Sequence, residues 1–93
     1  MSYDLVLQSE AIIDIQKAFE WYEHRSAGLG YEFIEEMEDG FERLSKNPQH
    51  YSAINRKYRK LRIKRFPYII VFEIEESKVI INAVRHVSHE PRR

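Results

Sequence analysis

Apolar residues recur along this 93-residue chain in two rhythms, and the change between them divides it into helical and extended parts. From Glu10 to about Arg25, Ala11, Ile12, Ile15, Ala18, Phe19 and Tyr22 follow steps of three and four, the stripe of an amphipathic helix. Asp14, Lys17, Glu20 and Glu23 occupy much of the remaining surface. Ser26-Ala27-Gly28-Leu29-Gly30 interrupts the rhythm, which restarts with Phe33, Ile34, Met37, Phe41 and Leu44, so a helical hairpin is predicted. Asn47-Pro48 ends the second helix, because proline disfavours the α conformation of its predecessor and brings no amide donor. Before the hairpin, Tyr3 to Leu7 is a short β-prone run, and Ser9 after it is a candidate N-cap.

Beyond Pro48 the period becomes two. Leu61 and Ile63 alternate with Lys60, Arg62 and Lys64, the pattern of a half-solvated strand. Phe66-Pro67 marks a turn, Tyr68 to Glu75 a second strand, Glu76-Ser77-Lys78 another turn, and Val79 to about Val87 a third strand. Short connections make these strands antiparallel neighbours. The order β-α-α-β-β-β is that of an α+β domain, a helical hairpin on a small curved antiparallel sheet. The strand containing Phe72 is apolar on both parities and belongs at the sheet centre. Its outer face is either a docking surface or is covered by another part of the chain.

Length and composition fit this reading. Residues 1–93 make one domain, because a chain this short cannot divide its core. Its 43% apolar and 13% aromatic content is that of a folded protein. There is no cysteine, hence no disulfide or thiolate site. Ile69 to Phe72 is too short to cross a bilayer, and the start has no signal-peptide pattern, so a cytoplasmic protein without membrane contact is expected. No motif calls for a cofactor or a metal. Zero net charge conceals an asymmetry: residues 1–48 carry four basic and eleven acidic side chains, whereas residues 49–93 carry eleven basic and four acidic.

The positive half centres on RKYRKLRIKR, residues 56–65, with seven cations and no acid. On a strand Lys60, Arg62 and Lys64 would project from one side at intervals of roughly 6–7 Å, a comb suited to phosphates. Arg59 and Arg65 have the opposite parity and must lie at sheet edges or snorkel past the core. Arg85, His86 and His89 near the end of the last strand are supplementary anion contacts. His86 and His89 lack a third ligand and imply no metal site. The acids Glu35, Glu36, Glu38 and Asp39 read as a helix exterior opposing the basic strand.

The segments AFEWYE ending at Glu23, GLGYEF from Gly28 to Phe33, LSKNP from Leu44 to Pro48, and YRKLRIKRFPYIIVFEIEESKVIINAVRH from Tyr58 to His86 together resemble the RelE/ParE superfamily of type II toxin–antitoxin systems. The resemblance spans nearly the whole chain. It implies the same fold, a growth-inhibiting toxin of the plasmid-stabilising kind, and a cognate antitoxin that wraps and silences it in a hetero-oligomer.

One branch of that superfamily cleaves messenger RNA at the ribosome, and its catalytic set would fall here on Lys60, Arg62, Lys64 and His86. Where it carries an arginine after the tyrosine of the next strand, this chain has Ile69, which cannot donate to a phosphate. The other branch inhibits DNA gyrase without a catalytic centre, and FPYIIVF and RHVSHEP are similar to its segments. The resemblance to the second branch implies a ParE-like toxin that is not an enzyme; the alternatives are the messenger RNA endonuclease of the first branch and a degenerate member that only binds antitoxin or RNA. The ParE-like toxin's target contacts would be Lys60, Arg62, Lys64, Arg85, His86, His89, Arg92 and Arg93.

Overall fold

The computed structural model describes residues 2–89. Strand β1 (Asp4–Leu7) leads into helices α1 (Ser9–Arg25) and α2 (Leu29–Lys46), a 3₁₀ turn (Pro48–His50), strands β2 (Arg59–Arg62), β3 (Tyr68–Glu75) and β4 (Lys78–His86), and a last 3₁₀ turn (Val87–His89). The hairpin of helices and the three C-terminal strands stand where the two rhythms place them.

The sheet order is β1-β4-β3-β2. β2, β3 and β4 are antiparallel neighbours, and Phe72 lies on an inner strand. The sheet is nevertheless mixed, not purely antiparallel, because β1 runs parallel to β4 from Asp4 opposite Lys78 to Leu7 opposite Ile81. No short turn joins these two strands, and the helical hairpin lies between them in the chain, which permits the parallel pairing. Ser9 is not the cap of α1 but its first residue. Gln8 holds the N-cap position with extended backbone and no side-chain cap.

One face of the sheet receives both helices. Ala11, Ala18 and Tyr22 from α1, and Phe33, Met37 and Leu44 from α2, are buried with Leu61, Ile63, Ile70, Phe72, Val79, Ile81 and Val84. The hairpin closes through Glu23, whose carboxylate accepts the amides of Gly28 and Gly30 at 2.8 Å each. A charged acceptor at the start of α2 thus replaces a side-chain cap. Gly28 has φ of 91°, and a Cβ on Gly30 would lie 2.7 Å from the carbonyl oxygen of Phe19. These two constraints explain both glycines of GLGYEF.

An aromatic cluster pins the β2–β3 turn to the helices. Phe33 lies 5.5 Å from Tyr22, 5.5 Å from Phe66 and 5.3 Å from Tyr68, measured between ring centroids. Burial raises the pKa of Tyr22, with Tyr68 adding to the shift, and burial also raises that of Tyr68. Both phenols are therefore favoured in neutral form by folding. Their contribution is complete below the ordinary tyrosine value of about 10 and is lost as pH rises through the higher folded values. Alkaline titration should show Tyr22 and Tyr68 ionising above the ordinary tyrosine value. Thermal stability should fall in the same interval, with tyrosinate absorbance as the readout.

Candidate anion-binding cleft

The alternation of β2 sends Leu61 inward, 1% exposed, and Lys60 and Arg62 to the opposite face. Register places Lys60 beside Val71, and Arg62 beside Ile69, which in turn faces Arg85 on β4. Ile69 is only 3% exposed although it points away from the helices. His50, Tyr51, Ser52, Lys60, Arg62, Ile69 and Val87 line one cleft of about 350 Å³ on this outer face.

Its walls are tied by hydrogen bonds. The Lys60 amide donates to the Ser52 carbonyl at 3.0 Å, and Arg59 Nη1 donates to the Tyr51 carbonyl at 2.9 Å and to that of Gln49 at 3.4 Å. Ala53 bridges to Arg59, and the Asn55 side chain accepts the amides of Lys57 and Tyr58 in an Asx-type turn. Residues 52–59 thus fold back and carry His50 and Ser52 along the edge of β2. On the other side the Val87 amide bonds the Pro67 carbonyl at 2.9 Å. Gln49 Nε2 also donates to the Tyr3 hydroxyl, tying the 3₁₀ turn to the start of the chain.

The predicted comb of three cations is not formed. Strand β2 ends at Arg62 and the chain turns through Arg65 at φ of 69°; buried Ile63 and exposed Lys64 keep the alternation, but the Lys64 side chain reaches the helical side. Lys64 reaches toward Asp39 of α2 at 4.0 Å, and Asp39 also bonds Arg43 at 3.0 Å. Arg65 meets Glu32 at 2.6 Å and Glu36 at 3.6 Å, and its pKa is raised chiefly by the Glu32 hydrogen bond. Arg59 sits at the sheet edge, as its parity requires. The basic run therefore has two jobs. Arg59, Lys64 and Arg65 hold the fold's edges and turn to acids and carbonyls, while Lys60 and Arg62 face the cleft.

The remaining candidates lie elsewhere. His86 is on the helical face, 5.2 Å from the Tyr68 ring, and its Nδ1 accepts the Ser88 amide at 3.1 Å. It lines a second groove of about 680 Å³ with Ala18, Trp21, Tyr22 and Tyr68. Arg85 curls over the same edge to Glu10 at 3.3 Å. The side chain of Asp14 accepts the Val84 amide at 3.0 Å beside it. His89 closes the last 3₁₀ turn, whereas Arg92 and Arg93 lie outside the described residues. The nuclease-type set of Lys60, Arg62, Lys64 and His86 is thus dispersed over three places. Among the described residues, no helix is long and apolar enough to cross a membrane.

The model of the family described as "ParE toxin of type II toxin-antitoxin system, parDE" matches residues 5–91. Among solved structures, the chromosomal ParDE toxin–antitoxin system from P. aeruginosa superposes with a TM-score of 0.78 at 14% identity, covering 92% of this chain and 97% of that one. No curated protein sequence matches the chain. The fold agrees with that neighbour, and the family match runs from β1 to beyond the last 3₁₀ turn: this chain belongs to the ParE toxin family of type II toxin–antitoxin systems.

Proposed function

We propose that this ParE-family toxin arrests growth in the cytoplasm by binding DNA gyrase, without bond-making chemistry of its own, and that a cognate antitoxin neutralises it. The observation carrying this reading is the dispersal of the cationic set. General acid–base cleavage of RNA needs a proton donor or acceptor within hydrogen-bond reach of the reacting group. Lys60 and Arg62 face the outer cleft, but His86 faces α1 across the sheet and Lys64 turns toward α2. The cleft floor beside Arg62 is aliphatic, at Ile69. Such a surface can hold an anion, and His86, the acid–base residue of the nuclease-type set, is not among the residues that line it.

The test combines two assays on the wild-type chain. Purified protein should inhibit gyrase supercoiling, and controlled expression should stop growth while the 5′ ends of ribosome-bound transcripts stay unchanged. Transcripts cut within the coding region, with supercoiling intact, would instead establish the messenger RNA endonuclease activity of the RelE branch.

A further inference from the structure

We infer that Asp14 guards an open sheet edge: its carboxylate holds the Val84 amide of β4, a donor that a strand from a second copy of this chain would need, and so keeps the toxin from joining itself strand to strand. The inference stands apart from the target proposed above and concerns what the free toxin does with its own surface.

β4 outruns its outer neighbour. β1 accompanies it from Lys78 to Ile81, and the Gln8 amide bonds the Ile81 carbonyl at 2.9 Å before the chain rises into α1. From Asn82 to His86, β4 has β3 on one side, and among the described residues no strand flanks the other. Residues of an antiparallel pair alternate between bonding their partner and pointing away from it. Val84 donates its amide to Asp14 Oδ2 at 3.0 Å rather than to Ile70 across the ladder. Its amide and its carbonyl therefore both belong to the open side. A donor and an acceptor so placed form the template on which another strand docks.

The surroundings would reward such docking. Ala83 and Val84 are buried, and beside them the groove of about 680 Å³ is walled by Ala18, Trp21, Tyr22 and Tyr68. An added strand could cover the half-exposed Trp21 ring, and pairing β4 against β4 would repeat the same contact in both copies. What opposes it is the acidic side of α1. Asp14 takes the place that a strand's carbonyl would occupy, and Glu10, one turn earlier, reaches the Arg85 side chain at 3.3 Å. Charges turned toward an edge are a common protection of sheets. The Asp14 bond is charge-assisted, so an incoming strand must replace it with a neutral carbonyl and leave the carboxylate without its donor.

The experiment compares the full chain with Asp14→Ala, Asp14→Asn and Glu10→Ala. Asparagine loses the charge but keeps an acceptor oxygen for the Val84 amide, whereas alanine loses both. In dilute solution the Val84 amide should be protected from hydrogen exchange in wild type and should exchange about tenfold or more faster in Asp14→Ala. Sedimentation over a range of concentrations should show Asp14→Ala associating with itself about tenfold or more tightly than Asp14→Asn, which carries the same net charge. Glu10→Ala leaves Val84 capped and should associate no more than Asp14→Asn. At high concentration the Val84 amide of Asp14→Ala should regain protection, as a strand from the second copy pairs with it.

A folded Asp14→Ala that associates no more than Asp14→Asn would overturn the inference, and so would association without renewed protection of Val84, which assigns the contact to another surface. Melting curves identify a variant that has not folded. If Asp14→Ala is one of these, wild type decides alone: a Val84 amide that exchanges as fast as in an unfolded chain contradicts the guard.

Discussion

Phe33→Ala should lower the free energy of unfolding by about 3–5 kcal/mol, the cost of deleting a fully buried aromatic ring and leaving its cavity. For a domain of this size each 1 kcal/mol displaces the melting temperature by about 4–8 °C, so a fall on the order of 15–30 °C is expected by calorimetry. Phe33 is 0% exposed and touches Tyr22, Phe66 and Tyr68, which belong to α1, the β2–β3 turn and β3. Its removal therefore loosens the turn that separates Lys64 and Arg65 from the cleft. Phe72→Ala, at another wholly buried position, should have a cost in the same range. A loss below about 1 kcal/mol at Phe33 would mean that the aromatic cluster is not the joint between hairpin and sheet.

The second large effect concerns function. Replacing Lys60 and Arg62 together by alanine should leave the fold intact, because both side chains point away from Leu61 and the core. Each forfeits a charge-assisted contact of about 1.5–3 kcal/mol, so affinity for the target should fall on the order of a hundredfold or more. The salt dependence of polyanion binding should flatten as well, since two fewer cations displace counterions. Lys64 and Arg65, equally prominent in the sequence, should behave differently, because their partners are Asp39, Glu32 and Glu36 on α2.

Much of this arrangement is legible in the chain itself. The three- and four-residue steps of Ala11 to Tyr22 and of Phe33 to Leu44 locate both helices, and the alternation around Leu61 sets the inward face of β2 correctly. The pairing partner of β1 is not legible, since a four-residue strand carries too little pattern to choose between a parallel and an antiparallel neighbour. The position of Lys64 was missed for a local reason. Lys64 follows the end of β2, where the chain bends, and Asp39 of α2 draws its long side chain to the helical side. His86 faces the helical side, since its cross-strand partner is Tyr68, a residue packed against Tyr22 and Phe33. His50 and Ser52 carry no charge pattern. The available signal was Asn55, an Asx-turn residue between Pro48 and the basic strand, which implies that the intervening chain folds back along β2.

The growth curve of cells expressing three versions of the chain at equal levels tests the central claim most directly. Wild type and Lys64→Ala should both arrest growth, and the Lys60→Ala/Arg62→Ala variant, folded as judged by its melting temperature, should not. Continued arrest by the double variant, or escape caused by Lys64→Ala alone, would contradict the assignment of the outer cleft as the working surface of this toxin.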